Sequence, residues 1–172
     1  LFMSTSKISV GLINPKSPTN VGAILRASGC FGASSISYTG NRLNRALQFN
    51  TDTQNNADNI PLTHKLSVLD DLPEDTKIVC VELVEGAIAL PSYVHPTNAY
   101  YVFGPEDGSV TQAVIDQADD VVYIPTVGCL NLAATVNVVL YDRLAKADLE
   151  ADDDLIIHSR DANNRLRVRD RE

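Results

Sequence analysis

Three nearly continuous apolar runs constrain this chain more than any other feature: KIVCVELVEG from Lys77, AYYVFGPEDG from Ala99 and DVVYIPTVG from Asp120. A strand with one face in water alternates apolar and polar residues, whereas a strand covered on both faces reads as an unbroken apolar run. Each run stops at glycine or proline, the residues that close strands. The pattern predicts an α/β fold, a parallel sheet flanked by helices, open and doubly wound. KISVGLINP from Lys7 and SSISYTG from Ser34 read as two earlier strands. Helices are expected after Thr19 or Asn20 as cap, and over residues 66–71, 109–118 and 130–147. Residues 41–62, polar and rich in Asn and Gln, carry no clear pattern. Ligands of open α/β sheets collect at the carboxyl ends of the strands. The loops NPKSPTNVG, FGPEDG and IPTVGCLN are therefore the places to look.

A chain of 172 residues suits one core, and the reading expects a domain over residues 3–150 and a charged, flexible tail over 151–172. The tail is locally basic, with five Arg against three acids in its last fifteen residues, on a chain whose formal charge is −8. An acidic body argues against a broadly basic nucleic-acid surface. No apolar run is long enough to span a bilayer, so a soluble, cytoplasmic protein is expected. Cys30, Cys80 and Cys129 read as reduced core thiols, and the widely spaced His64, His95 and His158 form no metal-binding pattern.

Arg26 stands in a helical stretch of small and apolar residues, VGAILRASGCFG, whose Val21, Ile24, Leu25 and Phe31 are available for the core. Gly22 costs a helix about 1 kcal/mol relative to alanine, which points to a close approach at that turn. Arg26 lies one turn beyond Gly22 and Ala23. Its planar cation beside a bare backbone suits a phosphate or a polarised hydroxyl; from this stretch alone a pairing with a surface acid is the favoured account. Glu106 follows a buried strand in FGPEDG, where a plain turn is the simpler account. Asn131 is a polar amide in the first turn of an apolar helix, placed to orient a neighbour or cap the backbone. Leu132, Val136, Val139, Leu140 and Leu144 follow at helical spacing and read as core.

Together these stretches resemble the SpoU branch of the SPOUT superfamily of RNA methyltransferases. The first motif is similar to Asn20, Gly22, Ala23, Arg26 and Ala27, the second to Phe103, Gly104, Pro105 and Glu106, and the third to Ile124, Pro125, Leu130, Asn131 and Leu132. The resemblance implies a C-terminal trefoil knot, a homodimer, S-adenosyl-L-methionine as cofactor, and methylation of a ribose 2′-hydroxyl of RNA, with tRNA ahead of rRNA as substrate. It also implies cofactor contacts from Glu82, Leu83, Gly104, Ile124, Cys129 and Leu130, mostly through backbone. Arg26 would act on the hydroxyl, with Asn20, Glu106 and Asn131 as the surrounding polar set and Glu106 steering Arg26 or the substrate. Ser109 and Val110 replace the Gly and Leu usual in the second motif, and Cys129 and Ala133 stand where the third commonly has Ser. These departures support an alternative, a non-catalytic RNA-binding or cofactor-binding homologue on the same fold.

Overall fold

The structure, a computed structural model, describes residues 6–49, 60–149 and 151–168. Seven strands form one sheet: β1 (Ile8–Leu12), β2 (Ser35–Tyr38), β3 (Leu62–His64), β4 (Lys77–Val81), β5 (Ile88–Ala89), β6 (Ala99–Phe103) and β7 (Asp120–Tyr123). Their order is β3-β2-β1-β6-β4-β7-β5, and every neighbouring pair is parallel. The three apolar runs supply β4, β6 and β7, in the interior of the sheet. β6 is buried at all five positions.

Successive side chains point to opposite faces of a strand, and the two faces have separate cores. Ala99, Tyr101 and Phe103 join Val10, Leu12, Val79 and Val81 in the larger one. That core is closed by α1 (Pro18–Cys30) and α4 (Leu132–Lys146). Val21 and Ile24 of α1, and Leu132, Val136, Val139 and Leu140 of α4, are the buried stripes. Each large side chain buried in this way contributes about 1.5–3 kcal/mol. Tyr100 and Val102 point to the other face, where Val68, Leu69, Leu72 and Val114 cover them.

Tyr100 crosses directly over Gly11 of β1. Its hydroxyl donates to the Val68 carbonyl at 2.8 Å and lies 2.6 Å from Ser37 Oγ. A Cβ at Gly11 would land on the Tyr100 ring and hydroxyl and crowd a Val68 methyl. Gly11→Ala is therefore expected to lower unfolding free energy by about 2–4 kcal/mol, from overpacking and a disturbed buried hydrogen bond. Urea unfolding with an unchanged m-value measures it.

Several predicted elements differ from the observed ones. Residues 66–71 form turns, not a helix. Ser67 N–H donates to Asp70 Oδ2 at 2.9 Å and Leu69 N–H to Ser67 Oγ at 3.3 Å, and such local side-chain bonds compete with a helix. The helix expected over 109–118 shrinks to one turn, α3 (Gln112–Ile115), and Asp71 takes a positive φ of 54°. The patternless stretch contains α2 (Arg42–Phe49) and ends on Leu62, the first residue of β3, with residues 50–59 of it outside the described residues. The expected tail carries α5 (Asp153–Ser159), capped by Asp152 and without a buried residue. His95 is not isolated: Nε2 lies 2.8 Å from Asp142 Oδ2 and Nδ1 2.7 Å from the Tyr101 hydroxyl. A neutral ring with its proton on Nε2 satisfies both contacts, and burial, ahead of the neighbouring cations, holds its pKa below the usual value despite Asp142.

The connection after β4 has a consequence for the site. Val81 at the end of β4 and Ile88 at the start of β5 both lie opposite Val122 of β7, on its two sides. Residues 82–87 thus bridge from one side of β7 to the other. Among the described residues, no helix is long and apolar enough to cross a membrane.

Candidate active site

A cavity of about 290 Å³ opens at the carboxyl ends of β4, β6 and β7, close to the lower end of small-molecule sites at roughly 300–1,000 Å³. Its wall takes Glu82 and Leu83 from the loop after β4, Gly104 and Glu106 from the loop after β6, and Ile124, Cys129, Leu130 and Asn131 from the stretch leading into α4. Asn20 of α1 completes it. Of the ten residues singled out from sequence, only Arg26 is absent from the lining.

Glu106 is the anchor of the site. One carboxylate oxygen accepts the Lys16 N–H at 3.0 Å, and the other accepts the Ser17 N–H at 3.1 Å and the Asn20 amide at 3.4 Å. Burial opposes its ionisation, but its own N–H, those of Lys16 and Ser17, and Asn20 hold the carboxyl below its ordinary range. Glu106 therefore joins the loop after β6 to the start of α1, and the contact expected with Arg26 is not made. The same pin fixes the helix start. Ser17, not Thr19 or Asn20, is the N-cap, its side chain accepting the Asn20 N–H at 3.2 Å. Pro18 occupies the first turn, where its fixed φ and missing N–H cost nothing.

Glu82 spends its carboxylate within the protein, accepting the Leu83 N–H at 2.9 Å and the Val110 N–H at 2.8 Å. Gly104 packs closely beside it: a Cβ there would come within 3.2 Å of a Val110 methyl and 3.3 Å of the Val110 nitrogen, so Val110 would have to give by a few tenths of an ångström. Val110, in the place of the usual leucine, is buried. Asn131 caps α4, its Oδ1 accepting the Ala134 N–H at 2.7 Å, so the helix begins at Leu132 rather than near 130. The backbone N–H groups from Thr126 to Leu130 donate to no described residue. Leu83 and Leu130 stay 60% and 41% exposed at the rim. Open amide donors beside exposed apolar side chains suit a ligand with polar and flat apolar parts.

Arg26 is exposed and makes no hydrogen bond or ion pair with any described residue, so the surface ion pair is ruled out within the described chain. It lies six residues beyond Asn20, about 9 Å along the helix and turned about 120° from it. Gly22 is exposed too, and a Cβ there would meet nothing within 4 Å. Among the described residues, no segment makes the close approach the glycine suggested. The cysteines divide: Cys80 is buried, while Cys30 and Cys129 are exposed, because α1 ends toward solvent and Cys129 sits at the cavity. Thr126 and Thr135 also line the cavity and were not singled out; Thr135, one helical turn after Asn131, carried the only usable signal. Among the described residues no group of three His, Cys, Asp or Glu could hold a metal ion.

A parallel sheet with a cavity at its carboxyl edge, walled by three loops and one helix start, defines a ligand-binding α/β protein. The chain belongs to the SpoU rRNA Methylase family, whose model matches residues 7–141. No curated protein matches it in sequence. Among solved structures it is similar to AviRb, a SpoU methyltransferase from Streptomyces viridochromogenes in complex with the cofactor AdoMet, with a TM-score of 0.61 and 20% identity over 80% of this chain. An AdoMet-bound rRNA methyltransferase from Sinorhizobium meliloti gives 0.61 and 19% over 81% of this chain. The chain spans 56% of the length of each of these two. A structure determined for the 2-OH methylation of C/U34 on tRNA gives 0.65 and 22%, covering 84% of this chain and 92% of that one. At these identities the likeness establishes the fold.

Proposed function

We propose that this protein is an S-adenosylmethionine-dependent RNA methyltransferase that modifies a ribose 2′-hydroxyl, with tRNA ahead of rRNA as substrate. The observation that carries the reading is the meeting of the second and third motifs, with Asn20 of the first, on one cavity, together with membership of the SpoU family. The preference for tRNA takes its support from the likeness to the structure determined for the 2-OH methylation of C/U34 on tRNA. The residues present fit the cofactor: the amide donors of 126–130 and the rim leucines Leu83 and Leu130 would hold its polar and adenine parts, with Gly104, Ile124 and Cys129 against them. When bound, it supplies a methyl group on a sulfonium, an excellent donor.

The chemistry it would supply is methyl donation to the ribose oxygen, which would give up its hydroxyl proton. Alignment of that oxygen does most of the work. Arginine keeps its proton at every ordinary pH, so Arg26 acts as a hydrogen-bond donor and the proton passes to solvent. Asn20 and Asn131, at the cavity wall, position the nucleotide, and Glu106 holds Asn20.

The reading includes a homodimer and a knot. Gly22, Ala23 and Arg26 on α1, with Val138 and Tyr141 on α4, are exposed on two helices packed side by side. A second copy covering them would explain the bare Gly22 and carry Arg26 to the partner's cavity. The bridge of residues 82–87 across β7 supports a knotted C-terminal part.

Transfer of labelled methyl from S-adenosylmethionine to bulk tRNA and to rRNA, followed by nucleoside mapping, tests the proposal. A 2′-O-methylnucleoside labelled in the tRNA pool is expected. Cofactor binding with no label in either pool would support the second reading, a non-catalytic homologue, which the cysteine at 129 and the buried Ala133 favour.

A further inference from the structure

Charge is distributed unevenly along this chain. Six of its 14 Lys and Arg fall within the first 65 residues, which hold only two of its 22 acids. Those residues build β1, β2, β3, α1 and α2, one half of the sheet. Among the described residues of that half, from 6 to 49 and from 60 to 65, there is no Asp or Glu at all. The remaining residues hold 8 Lys and Arg against 20 acids, so the excess of negative charge belongs to them and the protein is polarised.

Three of the cations, Lys16, Arg42 and Lys65, follow the carboxyl ends of β1, β2 and β3. They stand on the same sheet edge as the cavity. Two of them meet there on a single anion. Lys16 Nζ lies 3.1 Å from Asp107 Oδ2, and Arg42 NH1 lies 2.8 Å from Oδ1 and 2.9 Å from Oδ2. Asp107 is the residue after Glu106, just outside the cavity wall, and its side chain is 49% exposed. Hydrogen bonds from Arg42, then from Lys16, hold its carboxyl below the usual range.

The guanidinium is fixed from behind. Arg42 Nε donates to the Asn14 carbonyl at 3.1 Å and NH2 donates to the same oxygen at 2.5 Å. Asn14 itself sits at a positive φ of 44°, with its N–H donating to Thr39 Oγ1 at 3.2 Å. Arg42 NH2 also lies 3.9 Å from Glu106 Oε2, and NH1 is the donor turned outward to Asp107, where a fixed guanidinium recognises an oxyanion. An exposed carboxylate gains little from such pairing, since exposed ion pairs are worth only about 0–1 kcal/mol. It is correspondingly easy to displace.

We propose that Lys16 and Arg42 are the docking point for a backbone phosphate of the substrate RNA, and that Asp107 occupies this point in the free protein. The inference rests on the RNA-methylating reading for the identity of its ligand. A phosphodiester brings two free oxygens to the two cations and releases Asp107 to solvent. Phosphate contacts of this kind set register without reading sequence, here placing one nucleotide of the strand over the cavity next to Glu106. An acidic protein thereby binds RNA on its one basic half.

Filter binding of bulk tRNA and of rRNA across a KCl series tests this, with Lys16→Ala, Lys16→Ala/Arg42→Ala, Asp107→Asn and Lys7→Ala. Lys7 lies in the same basic half but at the opposite sheet edge, so it controls for charge alone. The double variant is expected to lose about tenfold or more in affinity at low salt, with the slope of log K against log[KCl] reduced by about 1–2. Asp107→Asn is expected to bind several-fold tighter and Lys7→Ala to bind as wild type. Lys16→Ala alone, which leaves the Arg42–Asn14 bonds in place, is expected to lose a smaller share and guards against misfolding of the double variant. Equal losses in Lys16→Ala and Lys7→Ala, or weaker binding by Asp107→Asn, overturn the proposal. Methyl transfer by the wild type with unaltered RNA binding in the variants sinks this inference alone. Variant-sensitive RNA binding by a wild type that transfers no methyl sustains it and sinks the catalytic reading instead.

Discussion

On the proposed reading, Arg26→Ala is expected to lower methyl transfer to RNA by about 10²- to 10³-fold, the loss that follows when a donor aimed at the reacting oxygen is removed. S-adenosylmethionine affinity stays within about twofold of wild type, and stability within about 0.5 kcal/mol. The second and third expectations follow from position: the side chain is exposed, lines no part of the cavity and bonds to no described residue. Nothing in the fold or the cofactor cavity depends on it. Single-turnover transfer, isothermal titration with the cofactor and thermal unfolding separate the three quantities. A large fall in cofactor affinity, or a clear loss of stability, would show that Arg26 serves the cavity or the fold. Arg26→Lys adds a further check, because an ammonium keeps the charge but loses the planar fork. Recovery of most activity in that variant would point to charge alone.

The central strands were legible because burial on both faces leaves a mark on every residue of the run, as in AYYVF of β6. Gly104 and Pro125 mark where such runs stop, and with them the edge of the sheet that carries the cavity. The order of the strands left no such mark. That β7 lies between β4 and β5, which are consecutive in the chain, is a matter of pairing across distant segments, and which strands become neighbours has no local signature. Short elements were lost for another reason. β5 has two residues, too few for any period to show, and Ser67 and Asp70 divert a stretch of helical appearance into turns through their own side chains. At the cavity, residue types pointed to the loops that line it, but their partners could not be assigned. Glu106 was expected to face Arg26 or substrate; it accepts from Lys16 and Ser17, residues 90 and 89 positions away. The Lys16, Arg42 and Asp107 cluster went unseen because it joins loops that follow three different strands.

Glu106→Ala is expected to damage both stability and activity, and for one cause. Its carboxylate, 10% exposed in the side chain, is the acceptor for two backbone N–H groups that precede α1. Each, left without an acceptor in a partly buried place, costs about 1–3 kcal/mol; water reaching the exposed Lys16 end offsets part of this. A net loss of about 2–4 kcal/mol lowers Tm by roughly 4–16 °C for a chain of this size. Glu106→Gln does nearly as badly, since the amide offers one oxygen and turns an N–H donor toward another donor. Methyl transfer falls with it, because Asn20 and the Ser17 cap lose their anchor. Acid separates this from a packing effect. The carboxyl is held below its ordinary value of 4.5, so its contribution is complete above that pH and is lost as pH falls through the lower folded-state value. The stability difference between wild type and Glu106→Gln is therefore constant from neutral pH to about that point and narrows beneath it. A difference that persists unchanged in acid would assign the loss to shape instead of to the ionised carboxylate and its N–H donors.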